Sequence, residues 1–525
     1  MKDDDAVRAE PYGKRWWALS ALVLSLLVIG LDITILNVAL PTLATDLGAK
    51  NRELQWIADS YTLVFAGLLL PAGVLGDRFG RKKMIMAGLV IFGVASAWCA
   101  WSTGPTELIY ARGLLGLGAA IVTPLSLSIL PAMFPEEERG KAIAIWSTGT
   151  VLGLPLGPIL GGYLLEHFWW GSVFLINVPV LAAGLLCAAY LLPESRDPAK
   201  PGVDLVGGVL STAGLCSLLY GIIEGPDKGW SDVTILGTIA VGLLVLAVFV
   251  LWERRSGRPL IDLGLFWNRR FAVATLSLTV LSFVLYGILF VAPQYLQVVL
   301  ESSALGSGVR LLPLVGAYMV GAGVSDALVK RIGARWVTGG GLVILGVGMA
   351  VMAGISSESG YAHTVWAFSV LGVGLGISLP PSVEMVMAVL PPGEMGRGTA
   401  LTTALRQVGG ALGIAVLGSM LASSYSNGVE EAARSAPSQV QAQVEDSVAA
   451  ASAVADRMGE SGEALRATAY KAFTDGMASL SLLCSIVALL GASVIILLLA
   501  KRGGEESGQR PVNEGSEGSS ADLRA

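Results

Sequence analysis

The stretch WWALSALVLSLLVIGLDITILNVAL (16–40) sets how the rest of the chain is read. It holds one ionisable side chain, Asp32. A helix needs about 20 mostly apolar residues to cross the hydrocarbon of a bilayer, where each backbone polar group must be satisfied within the helix. The run is too long for a secretory leader, and no small-residue cleavage site ends it cleanly, so it reads as a retained span. Thirteen further runs of this kind follow, at 55–75, 84–102, 106–134, 141–165, 172–192, 204–224, 233–253, 271–300, 307–329, 335–355, 362–390, 398–424 and 476–500. Fourteen spans put both termini on one side.

Composition agrees. Charged residues are 14% of the 525, against about 25% in an average soluble domain. So little charge cannot cover a water-soluble surface, which excludes a soluble globular enzyme, and a disordered chain needs the opposite balance. The net charge of -5 carries no strongly basic stripe, so no nucleic-acid partner is expected. Cys99, Cys187, Cys216 and Cys484 fall in apolar runs with no close pair, leaving no disulfide framework and no zinc spacing. His167 and His363 are too few and too scattered for a metal site or a catalytic triad. No metal, no cofactor and no enzymatic activity are expected.

Positive charge orients the spans. With the N-terminus cytoplasmic, the inner loops and tails hold 25 of the 35 Lys and Arg and the outer loops hold 7. Arg112, Arg310 and Arg406 lie within spans. The expected layout is a cytoplasmic tail at 1–15, a polar, Gly/Ser-rich and disordered cytoplasmic tail at 501–525, a basic inner linker at 253–270 and a long outer loop at 425–475. In that loop Val440, Val444, Val448, Ala451, Ala455 and Met458 recur at helical spacing. Either a short amphipathic helix lies on the body there, or the loop is irregular and the period is chance.

Ionisable side chains at membrane depth are costly and usually face a cavity or a partner. Asp32 sits eight residues before Leu40, about 12 Å from the outer end of the first span, and Arg112 six residues after Thr106, about 9 Å down the fourth. Matched depth predicts that they face one polar cavity and couple. A carboxylate beside a switchable Arg in low dielectric has a tunable proton affinity, which suits proton coupling; a static ion pair is the other reading. The same arithmetic puts Glu384 about 9 Å and Arg406 about 12 Å from the inner face. It predicts an ion pair in the second half, or two side chains that reach separately for headgroups. Asp326, Glu224, Glu166 and Asp59 read as boundary residues, and Arg310 as reaching for the outer surface.

Glycine and proline cluster at GTVLGLPLGPILGG (149–162), through Gly149, Gly153, Pro155, Gly157, Pro158, Gly161 and Gly162. Such a run should bend a helix and admit a close neighbour. It marks the outer half of the fifth span as a gate, or as a site of close packing alone. GVLGDRFGRKK (73–83) forms a tight inner turn whose Asp77 and Arg78 can latch to helix ends, or a solvated loop that only sets topology. KRIGAR (330–335) echoes it.

Together these segments resemble the major facilitator superfamily, and within it the fourteen-helix drug:proton antiporter family of the QacA/EmrB type, over nearly the whole chain. LDITILNVALP (31–41), with Asp32 and Asn37, is similar to that family's first-span signature. Gly73, Asp77, Arg78, Gly80 and Arg81 match the inner-loop motif. LIYARGLLGLGAA (108–120), through Arg112, matches the fourth-span motif, and 149–162 the antiporter motif. GRGTALTTALRQVGGALG (396–413) is similar to the thirteenth-span segment. One departure is FWWGSVFLINVP (168–179), with Gly171 and Ser172 where an Arg and an aromatic are typical.

The resemblance implies an all-α membrane protein of the major facilitator fold: six-helix bundles at 16–192 and 271–500, with two inserted helices at 204–253. It implies a cell-membrane carrier, functional as a monomer, that exports lipophilic cationic drugs or antibiotics by alternating access in exchange for protons. Asp32 would carry the proton, Arg112 would tune it, 149–162 would control the outer gate, and Asp77 and Arg81 would latch the inner side. The competing readings are an uptake symporter, against which the Gly/Pro-rich fifth span argues, and a non-transporting receptor, which leaves Asp32 and Arg112 unexplained.

Overall fold

The computed structural model describes residues 13–49, 51–196, 204–256, 260, 262–357, 359–391, 394–434 and 441–500. Most of the expected N-terminal tail (1–12), the whole C-terminal tail, part of the basic linker and Val440 lie outside that set, as does the Asn37 side chain.

Among the described residues, fourteen helices are long and apolar enough to cross a membrane. They are α1 (Arg15–Asp46), α2 (Asn51–Phe79), α3 (Arg81–Ala100), α4 (Pro105–Ser128), α5 (Glu136–His167), α6 (Asn177–Leu191), which spans together with the turn of helix before it as Ser172–Leu191, α7 (Leu205–Lys228) and α8 (Val233–Arg255). There follow α9 (Arg269–Gln294), α10 (Leu312–Ile332), α11 (Ala334–Ala353), α12 (Tyr361–Val389), α13 (Met395–Ala433) and α14 (Glu463–Ala500). A four-residue helix (Ser172–Leu175) leads into α6, and a seven-residue helix (Ala304–Arg310) leads into α10.

Local chemistry sets the helix ends. Asp204, Asn268 and Ser303 each accept a backbone N–H of the turn they start, satisfying a donor that would otherwise be orphaned. Asp232 does the same for α8, and hydrogen bonds from Thr234, side chain and backbone, hold its carboxyl below the usual carboxylate range. The α2–α3 and α10–α11 turns pivot on Gly80 (φ +109°) and Gly333 (φ +84°), a region that other residues enter only at a cost. The sequence echo between these turns is thus also an echo of backbone shape.

The helices pack as two groups. In the first, α1 lies on α5 and α6, α2 on α4, and α3 on α4 and α6; in the second, α10 and α11 lie on α12, and α9, α11 and α13 on α14. The groups meet along two seams, α2 and α4 against α13, and α5 against α10 and α12. The inserted pair does not stand apart: α7 packs on both α2 and α13. On α8, Leu236, Leu243 and Leu244 stay more than half exposed, which is costly in water and free in lipid.

The outer-loop expectation is resolved in favour of helix, with shifted boundaries. At 39 and 38 residues, α13 and α14 are each about 57 Å long, nearly twice the hydrocarbon thickness. They therefore take up both ends of 425–475. Between them the short helices Gln441–Asp446 and Val448–Met458 pack on α13 and α14. Val444, Val448, Ala451 and Ala455 are buried, Met458 is partly so, and the Tyr425 hydroxyl donates to the Val444 carbonyl at 3.0 Å. This assembly marks the cap end of the molecule, and the α2–α3 turn lies at the other end.

Candidate functional site: a buried acid, a latch and a glycine seam

Asp32 and Arg112 meet. An Arg112 Nη donates to one Asp32 oxygen at 2.5 Å, and the Asn177 amide donates to the other at 3.1 Å. Asn177 also donates to Ser96 Oγ (3.0 Å), which in turn donates to the Phe174 carbonyl. Arg112 Nε donates to the Ile57 carbonyl, and its guanidinium lies 4.7 Å from the centre of the Tyr61 ring. Four helices thus supply the site, α1, α2, α4 and α6, with Ser96 from α3 behind it. Asp32 is 0% exposed and Arg112 1%, so in this conformation the pair faces packed protein rather than an open cavity. Tyr61, buried with its hydroxyl unpartnered, stands within electrostatic range of Asp32 and Arg112 and of Tyr286 in the second half. Sequence reasoning passed over Asn177. Its signal was present, as the one side-chain amide in the run 172–192.

At the end away from the cap, the α2–α3 turn ties the two halves together. Asp77 accepts from Arg81 Nη2 (2.7 Å) and Nε (3.1 Å) and, across the seam, from the backbone N–H groups of Gly396 and Arg397 (both 3.0 Å). The carboxylate thereby caps the N-terminus of α13, where unpaired N–H groups and the helix dipole favour negative charge. Gly73 and Gly396 let the two backbones approach: a Cβ on Gly396 would lie 2.6 Å from the Gly73 carbonyl oxygen. Arg81 also reaches Ser195 Oγ (2.9 Å), and a Cβ on Gly80 would run into the Glu194 carboxylate. Arg78 stacks on its neighbour Phe79. On the other seam Lys330 donates to the Glu137 carbonyl and to Asp326.

Asp77→Asn replaces one acceptor with a donor that faces another donor. Loss of a charge-assisted bond of about 2 kcal/mol corresponds to roughly thirtyfold in population. Spin labels on the α2–α3 turn and at the start of α13 should report a longer, broader distance distribution in the variant. An unchanged distribution would count against a latch.

The Gly/Pro run in α5 does not break the helix, which continues from Glu136 to His167 through Pro155 and Pro158. The expected bend is therefore not an interruption. Instead Gly149, Gly153, Gly157 and Gly161, spaced by four, form a seam on α1 against Val23, Leu27 and Leu31, Thr34 and Ile35 respectively. Gly162 turns towards Leu305 of the second half, and Gly308 there would carry a Cβ 3.2 Å from the Pro155 carbonyl oxygen.

The Glu384–Arg406 pair is not formed, and that expectation is corrected. Glu384 lies near Gly140 of α5, where a Cβ would be 3.2 Å from its carboxylate. Arg406 instead donates from Nε to Ser282 Oγ of α9 (3.3 Å). Helices α12 and α13 are consecutive in the chain but pack chiefly on other partners. Equal depth on helices that present different faces does not bring side chains together. Arg310 donates to the Leu300 carbonyl and to Ser302 in the turn before α10, over the Tyr361 ring.

Fourteen apolar helices in two groups, a buried acid–arginine pair and a carboxylate that caps a helix across the seam are the features of a polytopic membrane protein with charge held at its centre. The chain matches the Major Facilitator Superfamily over residues 22–414 and belongs to that family. It is 34% identical over 483 residues to the multidrug efflux pump LfrA of Mycolicibacterium smegmatis, covering 92% of this chain and 96% of the relative. It is 35% identical over 412 residues to the tetracenomycin C resistance and export protein of Streptomyces glaucescens, covering 78% and 77%. The crystal structure of the human organic anion transporter MFSD10 superposes with a TM-score of 0.58 at 16% identity, covering 90% of this chain and 99% of that one; the likeness is one of fold alone.

Proposed function

We propose that this chain is a proton-coupled exporter of lipophilic drugs or antibiotics, cationic ones among them, working by alternating access in the cell membrane. The observation that carries the reading is the carboxylate of Asp32, buried among four helices of one half and held by Arg112 and Asn177. A carboxylate removed from water, with a movable cationic partner, can take up a proton in one state and release it in the other. The export and resistance names of relatives that align over most of their length support the direction of transport. Asp77, Gly80 and Arg81 act as the cytoplasmic latch and the α5 glycine seam as the outer gate. Both termini lie in the cytoplasm, as the bias of Lys and Arg requires. The carrier needs no cofactor beyond the proton gradient and works as a monomer on small amphiphilic molecules.

Inverted membrane vesicles test this. Ethidium should accumulate when the interior is acidic, and nigericin should abolish the accumulation. A panel of cationic dyes and antibiotics that all fail to respond to the pH gradient would overturn the reading.

A further inference from the structure

Arg406 is a charged group in the membrane-spanning body that the mechanism above does not use. It stands eleven residues into α13, about 16 Å from that helix's start. Its one hydrogen bond among the described residues runs from Nε to Ser282 Oγ. Among the described residues, the titratable groups within electrostatic range are Tyr286 and Tyr318, and no carboxylate is among them. A guanidinium does not give up its proton, so the positive charge is held at membrane depth without a counter-charge. Such an arrangement is costly unless an anion completes it.

The surroundings show where that anion would sit. Arg406 borders a small cavity with Leu127, Leu278, Val383, Val386 and Thr402. Leu127 belongs to α4 of the first half and the others to α9, α12 and α13 of the second, so the cavity lies on the seam. The hydroxyls of Thr399, Thr402 and Thr403 are spent donating to backbone carbonyls. The guanidinium is therefore the strong donor of this wall, and the facing wall is hydrocarbon. An apolar surface with one fixed cationic fork fits an aromatic or aliphatic body bearing a planar acidic group. The space, about 10 Å³, is no larger than a single water. Cargo enters only as the α4–α13 contact, which includes the bond from Thr399 Oγ1 to the Pro124 carbonyl (3.2 Å), comes apart.

From this we propose that Arg406 is the docking point for the ionised acidic group, a carboxylate or its like, of an amphiphilic cargo molecule. The proposal rests on the exporter reading and widens its cargo: besides lipophilic cations such as ethidium, molecules with an acid as well as a lipophilic body are taken.

The test uses the full chain in nanodiscs and reads binding, so it is independent of flux; ethidium accumulation in inverted vesicles tests the exporter reading separately. Pyrenebutyrate should bind at least about tenfold more tightly than its methyl ester, after subtraction of empty nanodiscs. Arg406→Gln should erase the preference for the acid, and Arg406→Lys should keep part of it. Equal affinity of acid and ester for the unaltered protein overturns the proposal, and needs no variant to fold. So does an acid preference that survives Arg406→Gln. Replacing gluconate with chloride at equal ionic strength should leave the preference intact; if chloride abolishes it, the resident anion is inorganic and the cargo assignment falls.

Discussion

Asp32→Asn should reduce gradient-driven efflux to the background of protein-free vesicles while leaving an inserted, folded protein. The two side chains have the same shape. The retained oxygen still accepts from Arg112, now at 2.5 Å from the carboxylate. The other position becomes a donor facing Asn177, whose own amide nitrogen now points there at 3.1 Å. Asn177 Oδ1 has no hydrogen-bond partner among the described residues, so a half-turn of its amide offers an acceptor to the introduced group. What disappears is the site for a proton and the charge that balances Arg112. Breaking a buried ion pair costs about 3–5 kcal/mol; the remaining hydrogen bonds should hold the loss near the lower figure. Thermal unfolding in detergent and vesicle flux together check the expectation. Undiminished, nigericin-sensitive efflux by the variant would remove Asp32 from the coupling mechanism.

The second large effect is expected at Gly153. A Cβ there would lie 2.7 Å from both the Leu27 carbonyl oxygen and the Leu31 nitrogen. Both are backbone atoms of α1 and cannot turn aside. Gly30 answers from the other helix, where a Cβ would be 2.9 Å from the Thr150 carbonyl oxygen. Gly153→Leu must therefore prise α1 from α5, costing about 3 kcal/mol or more by overpacking, and should abolish flux. Gly316→Leu, where nothing lies within 4 Å of a Cβ, is the comparison. Equal melting temperatures for the two variants would contradict the tight seam.

These residues also show what a one-dimensional reading captures. Depth follows from counting at 1.5 Å per residue, and counting brought Asp32 and Arg112 to one level. Azimuth and helix neighbours are set by packing between helices far apart in the chain, which no count reveals. That is why Glu384 and Arg406, matched in depth, sit on different partners, and why Asn177, the third member of the Asp32 site, went unremarked. Apolar runs located all fourteen helices but not their ends. The first turn of α5 holds Glu136, Glu137 and Glu138; such acids end an apolar run, yet they favour a helix N-terminus. The glycines at 149, 153, 157 and 161 suggested flexibility by composition; their spacing of four held the better clue, a flat face for α1.

The inserted pair has a consequence for the route into the carrier. Thr212 and Cys216 of α7 donate to the Gly67 and Leu63 carbonyls of α2, and Trp230, in the α7–α8 turn, donates to Ser419 of α13. The pair thus stands as a wall across the α2–α13 seam, fastened to both halves, while on the α5–α10 seam the described residues add the seven-residue helix Ala304–Arg310 in place of such a pair. The two flanks of the molecule are unequal towards the surrounding acyl chains. A solute dissolved in the leaflet meets one seam behind a pair of membrane-spanning helices and another without such a pair, so the two lateral approaches differ in a way that a twelve-helix carrier built from the two halves alone would lack.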